Sequence, residues 1–273
     1  MTTKNYAAPG EYNLADLLCC AAAREVRDHE VVFAGTGLPM VAIMLAQQTH
    51  APNLKLIFEA GTLDGRPPQL PTSVGDARCE VGASRASGLH DAFSIAQRGY
   101  VDLGFLGGAE VDQYGNVNTT AIGDYLEPEL RLTGSGGNPD INSFAGRTIF
   151  IMVHEKRRFT ENVSYITSPG WRVKKWPEGH WVHRRELYGA AYRGGPAAVI
   201  STLGVFRFDE KTGRIYLDTC HPGTSIEQIK EQCQFDLDVS RVNGETSPPT
   251  VEELHLIHEV LDPEQIFIPR TKK

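Results

Sequence analysis

Glu59 closes the apolar run Leu54-Lys55-Leu56-Ile57-Phe58 and is followed at once by Ala60-Gly61. Such a run reads as a strand buried on both faces, and in open α/β sheets ligands collect at the carboxyl ends of such strands. A carboxylate at that point is more typical of chemistry than of packing, although a salt-bridged acid at a strand end gives the same pattern. A second run, Val101 to Leu106, ends in Gly107-Gly108-Ala109. Glycines there let backbone amides approach a ligand with no Cβ in the way, and free amides are what a developing oxyanion needs. Taken alone, those glycines also fit a simple bend.

Other groupings carry less. Gly35-Thr36-Gly37 lies between a strand and a helix, as in a dinucleotide-binding turn, and Glu59 stands near the distance of that fold's ribose-binding acid. The third glycine position is Met40, however, and Pro39 removes an N–H that could face a pyrophosphate. A non-catalytic dinucleotide-binding module is therefore the weakest reading. His180 with His183, and His255 with His258, are spaced as metal-ligand pairs, but neither has a third ligand at a suggestive distance. The second pair sits in a Glu-rich helix, which predicts a solvated face. Ser135 and Ser168 lie in loops but not in a G-x-S-x-G turn, so no serine nucleophile is expected.

The elements that must hold these residues follow from periodicity. Asn13 reads as an N-cap with Asp16 three residues on, and Leu14, Leu17, Leu18, Ala21, Ala22 and Val26 follow a helical spacing. Val31 to Ala34 is a strand and Pro39 to Thr49 a helix, so the strand ending at Glu59 completes a β-α-β unit. Thr62 to Gly75, with Pro67, Pro68 and Pro71, predicts an irregular loop that could wall a pocket. A helix is expected over Ser87 to Gln97, strands over Thr148 to Val153, Ala197 to Leu203, Gly204 to Phe208 and Ile215 to Leu217, and a helix near Thr250 to Leu261. The stretch 172–195, with Trp176, Trp181, His183 and Arg184, has no clear period and stays unassigned.

Composition bounds the function. The chain has 273 residues, 41% hydrophobic and 22% charged, enough to bury a substantial core. A net charge of −7 with scattered Lys and Arg makes nucleic acid a poor partner. Five cysteines with no C-x-x-C pair fit neither a disulfide framework nor a zinc site, which points to a reducing cytoplasm. The sequence carries no signal-length apolar start and no run of eighteen apolar residues, so no membrane association is expected.

Several strings together resemble a known family. They are Gly35-Thr36-Gly37-Leu38-Pro39, Ile57-Phe58-Glu59-Ala60-Gly61, Ser73-Val74-Gly75-Asp76, the segment from Gly107 to Asn118, Gly134-Ser135-Gly136-Gly137, His154 to Phe159, Thr167 to Trp171 and Phe235 to Ser240. In order, from about residue 13 to Ile268, they are similar to the B subunits of class I CoA-transferases of the glutaconate type. The resemblance implies a layered α/β/α open sheet, with residues 1–273 forming a single subunit domain that pairs with an A-type subunit as a heterodimer or higher assembly. It implies acyl-CoA and a carboxylic or dicarboxylic acid as substrates, with coenzyme A as co-substrate and no tightly bound cofactor or metal. The family's nucleophilic glutamate falls on Glu59, and Gly107, Gly108 and Ala109 fall beside the thioester carbonyl as oxyanion and substrate-binding positions. The same fold also serves CoA-ester hydrolases and decarboxylases. Glu59 argues against the decarboxylase variant that carries cysteine there, while 172–195 departs from the transferase pattern.

Overall fold

The computed structural model describes residues 5–189 and 193–270. Residues 1–4 of the N-terminal stretch and 190–192 of the unassigned 172–195 segment thus lie outside the described residues. The chain forms two compact units. One gathers the chain up to Ile95, Tyr100–Phe105 and the segment from Ser247 onward; the other holds Ala96–Gly99 and Leu106–Thr246.

In the first unit α1 (Leu14–Ala23) starts where the spacing predicts, because Asn13 and Asp16 form a reciprocal capping box. Asn13 Oδ1 accepts from the Asp16 amide at 3.1 Å and Asp16 Oδ2 from the Asn13 amide at 2.9 Å. Then come β1 (Val31–Ala34), α2 (Leu38–Gln48), β2 (Lys55–Phe58), β3 (Thr62–Leu63), β4 (Arg85–Ala86), α3 (Leu89–Gln97) and β5 (Leu103–Gly107). The strands lie in the order β5-β1-β2-β3-β4, with β1 parallel to both β2 and β5. Every residue of α2 from Met40 to Ala46 is buried. A helix apolar on all sides must be covered on all sides, and α2 packs against both α1 and β1. Phe93 of α3 meets Phe33 of β1 with ring centroids 5.6 Å apart.

Two expectations need correction in this unit. The predicted loop Thr62 to Gly75 opens with two ordered residues, Thr62–Leu63, which turn back antiparallel on β2 with Ile57 opposite Leu63. The C-terminal helix is α-helical only over Val251–His255 and widens to a π-helical turn over Leu256–Leu261. This carries His258 to Asp16, 2.8 Å away and fully buried, so that histidine does not lie on a solvated face.

The second unit comprises β6 (Glu110–Val111), β7 (Val117–Asn118), β8 (Ala121–Gly123), β9 (Pro128–Arg131), α4 (Asn138–Phe144), β10 (Arg147–Met152), β11 (Arg172–Lys174), β12 (Trp181–His183), α5 (Arg184–Tyr188), β13 (Pro196–Ser201), β14 (Gly204–Phe208), β15 (Ile215–Cys220) and α6 (Ile226–Glu231). Its main sheet runs β15-β14-β13-β10, with β10 parallel to β13 and the others antiparallel. Ile149, Phe150, Ala198, Val199, Ile200, Phe206 and Leu217 are all fully buried, as strands covered on both faces require. The stretch that sequence pattern left unassigned holds the β11–β12 hairpin and α5. Among the described residues no helix is long and apolar enough to cross a membrane.

The core of this unit contains a polar chain. His154 Nδ1 lies 3.0 Å from Ser201 Oγ and its Nε2 3.7 Å from Cys233 Sγ, while its ring stacks on Phe159 at 3.7 Å between centroids. Burial lowers the His154 pKa to about 4 and pushes the Cys233 thiol up to about 12. Both groups are therefore neutral near pH 7, and the pair is no thiolate–imidazolium dyad. The unfolded chain binds a proton at His154 below about pH 6.5, whereas the folded chain resists it until about pH 4. Stability from this group is full above pH 6.5 and declines as pH falls toward 4. Burial of His221 acts in the same direction. Denaturant midpoints measured between pH 7.5 and 4.5 should fall with acidity, and His154→Asn should flatten that fall; an unchanged slope in the variant contradicts this assignment.

Candidate active site

Parallel pairing of Ala34 with Phe58 means that Gly35-Thr36-Gly37 and Glu59-Ala60-Gly61 leave the same edge of the first unit's sheet. β5 joins that edge through Val32 opposite Leu103 and Phe33 opposite Gly104. The carboxyl ends of neighbouring parallel strands thus meet there, the place where open α/β sheets collect ligands.

Glu59 follows β2 directly and is half-buried. It occupies the first position of a two-residue turn closed by the Gly61 amide, which donates to the Phe58 carbonyl at 2.9 Å. Gly61 has φ of 116°, and a Cβ there would stand 2.5 Å from the Gly88 carbonyl carbon. Only glycine satisfies both conditions. The Gly61 carbonyl in turn accepts from the Ser87 amide at 3.2 Å and from Ser87 Oγ at 2.6 Å. The backbone that carries Glu59 is held from both sides of the turn.

A second loop packs on it. The Val74 amide donates to Thr36 Oγ1 at 3.3 Å, and a Cβ built on Gly75 would lie 3.9 Å from Ala60 Cβ. That loop is braced by Asp76, whose carboxylate accepts from Thr72 N and Oγ1, both at 3.1 Å, and from Arg78 N at 2.9 Å and Nε at 3.0 Å. The Arg78 guanidinium and these amides hold the Asp76 carboxyl well below the usual carboxylate range. No sequence pattern points to Ser87 or Arg78 as parts of the site, and Asp76 enters only as the last residue of the string Ser73 to Asp76.

In the second unit, the backbone from Gly107 to Ala109 leads into β6. Gly108 meets Val117 so closely that a Cβ would fall 2.8 Å from Val117 Cγ1. The Gly107 carbonyl accepts from Asn138 Nδ2 at 3.3 Å. The Ala109 amide donates to the Asn118 carbonyl at 2.9 Å and is thereby engaged in the β6–β7 hairpin. The acids that follow are structural. Buried Glu110 accepts from Asn118 Nδ2 at 2.7 Å, Ser164 N at 2.8 Å and Ser164 Oγ at 3.0 Å. Buried Asp112 accepts from Tyr114 N at 2.9 Å, Asn116 N at 3.0 Å and Asn116 Nδ2 at 2.7 Å. Each buried carboxylate is satisfied by several donors, as its desolvation demands. His183 stacks on Trp171 at 5.6 Å rather than facing a metal, and among the described residues no group of three or more His, Cys, Asp or Glu could hold one. All five cysteines are free and buried.

Comparison with known proteins bears on this arrangement. The profile of the family described as Coenzyme A transferase matches residues 18–232. The B subunit of glutaconate CoA-transferase from Acidaminococcus fermentans is 39% identical over 270 residues, covering 94% of this chain and 95% of its own length. The B subunit of 3-oxoadipate CoA-transferase from Pseudomonas knackmussii is 34% identical over 247 residues, covering 90% and 92%. The crystal structure of glutaconate coenzyme A-transferase from A. fermentans matches with a TM-score of 0.85 at 36% identity, covering 97% of this chain and 99% of that one.

Two substitutions test the turn. Gly61→Ala forces an alanine into a left-handed backbone and into Gly88, so it should lower unfolding stability by about 1–3 kcal/mol. Ser87→Ala removes one of two bonds to the Gly61 carbonyl and should cost about 1 kcal/mol in a denaturant melt. Wild-type stability in both variants would show that the turn is not constrained as described.

Proposed function

The chain belongs to the coenzyme A transferase family, and from that premise we propose that Glu59 is the nucleophile with which it acts as the B-type chain of a two-chain CoA-transferase. In this reading it moves CoA between an acyl-CoA and a carboxylic or dicarboxylic acid. One observation carries the assignment of Glu59: its carboxylate leaves the carboxyl end of a doubly buried strand on a turn that only glycine can close.

A carboxylate with an ordinary pKa near 4.3 is ionised at neutral pH but attacks a thioester poorly in water. The reaction therefore needs a dry, oriented carboxylate. A Glu59 oxygen adds to the acyl-CoA carbonyl, and the tetrahedral adduct expels CoA thiolate to leave an acyl-glutamyl anhydride. The thiolate then attacks the glutamyl carbonyl, forming a glutamyl-CoA thioester and releasing the first acid. The acceptor acid runs the same two steps in reverse. Anhydride, thioester and acyl-CoA are close in energy, so no step falls into a well.

Oxyanion stabilisation in acyl transfer is commonly worth about 3–4 kcal/mol per donor, and we assign it to amides at Gly107 and Gly108. The Ala109 amide is already engaged by Asn118, which leaves Ala109 as a substrate-binding position. Both intermediates hydrolyse if water reaches them. Pro67, Leu70 and Pro71, all buried in the first unit, suit the role of a water-excluding wall. The relatives are each the B member of a two-chain enzyme, which supports an A-type partner chain, with the whole of 1–273 serving as one subunit domain. Coenzyme A is then a co-substrate rather than a resident group. Five free, buried cysteines fit the cytoplasm as the place of action.

Incubation of the assembled transferase with acyl-CoA should give a covalent CoA adduct whose mass maps to Glu59; an adduct elsewhere, or none under turnover, contradicts the assignment. Glu59→Asp retracts the carboxylate by one methylene and should lower CoA transfer by about 100-fold, the cost of misplacing a reacting group by about 1 Å. Transfer at the parent rate contradicts the positioning argument.

A further inference from the structure

A cavity of about 340 Å³ lies in the second unit beside the β11–β12 hairpin, lined by Ile166, Pro169, Val173 and Trp181 together with Arg172 and Lys174. No carboxylate lines it. The antiparallel register sets Lys174 opposite Trp181, and Arg172 lies two residues back on the same face of the hairpin. Arg172 is steadied by neutral groups alone: the Tyr114 hydroxyl at 3.3 Å, the Trp181 carbonyl at 3.5 Å and the Tyr114 ring at 5.0 Å. The Lys174 ammonium stands 5.4 Å from the centroid of the Trp181 ring. Among the described residues neither cation has a carboxylate in ion-pair range, and the hairpin's own acid, Glu178, is taken by Lys175 at 3.3 Å.

Two uncompensated cations beside an indole face, on a chain whose net charge is −7, form an electrostatically incomplete site. An anion completes it, and the apolar walls ask that the anion carry a flat ring. A short carboxylic acid would use one cation and leave the indole bare. We propose that this cavity holds the 3′-phosphoadenosine end of coenzyme A, with adenine stacked on Trp181 and phosphates drawn to Arg172 and Lys174; this rests on the CoA-transfer reading above. The volume sits at the small end of the range for ligand pockets, about 300–1,000 Å³, suited to the nucleotide with pantetheine extending beyond it. Base–aromatic stacking and phosphate–cation contacts are the usual means of holding such a group.

Calorimetric titration of the assembled transferase with adenosine 3′,5′-bisphosphate tests it. Saturable binding is expected, weakened at least tenfold by Trp181→Ala and by the surface variant Lys174→Glu, and less by Trp181→Phe, which keeps a stacking face. The preference for acyl-CoA over acyl-dephospho-CoA, read as a ratio of kcat/KM, should shrink in Lys174→Glu. No binding to the parent complex, or equal affinity in parent, Trp181→Ala and Lys174→Glu, overturns the proposal. Glu59→Gln should bind the nucleotide as the parent does. A parent complex that binds nucleotide but transfers no CoA contradicts the transfer reading and leaves the pocket standing; one that transfers CoA with no effect of these variants contradicts the pocket alone.

Discussion

The turn from Phe58 to Gly61 has no space for a side chain at its last residue, and the placement of Glu59 follows from that. β2 is buried to its final residue, so the chain must reverse within two residues to pair β3 back onto β2. The reversal needs the left-handed backbone of Gly61 and its close approach to Gly88. Ser87 then fastens the Gly61 carbonyl with two donors. A flexible glutamate on a mobile loop would spend orientational freedom at each reaction; here only its side-chain torsions remain to be set.

The second unit meets a different constraint, the burial of polar groups. Glu110 and Asp112 follow the glycine pair so closely that they invite a catalytic reading. Each instead accepts three hydrogen bonds from its own hairpin or from Ser164. Buried carboxylates saturated in this way stiffen the backbone that presents Gly107 and Gly108. The His154–Cys233 pair has the composition of a nucleophilic dyad but the electrostatics of a core, with burial moving both groups away from ionisation. Residue type alone would have misassigned both clusters; solvation decides them.

Much of the first unit was legible in the sequence because its signals are local. Asn13 and Asp16 form the box that their spacing predicts, and α2 starts within a residue of the expected proline position. The Leu54 to Phe58 run marked Glu59 because a doubly buried strand is apolar without alternation. What escaped was non-local or short. Ser87 grips Gly61 from 26 residues away. β3 has two residues, too few to show a period, and the β11–β12 hairpin is organised by cation–aromatic contacts such as Lys174 on Trp181 rather than by apolar alternation. His258 was expected on a solvated face because the spacing counted α-helical turns; the π-helical turn at Leu256–Leu261 rotates it onto Asp16.

The central claim is that the Glu59 carboxyl is itself acylated in each cycle, and oxygen exchange tests it most directly. If an acceptor acid labelled with oxygen-18 in its carboxylate attacks a glutamyl-CoA thioester, one labelled oxygen stays on the glutamate when CoA thiolate takes the acyl group from the anhydride. After turnover in ordinary water, the peptide containing Glu59 should therefore carry oxygen-18 in that side chain. Label absent from Glu59 after many turnovers, or incorporated only when the solvent water is labelled, contradicts the account.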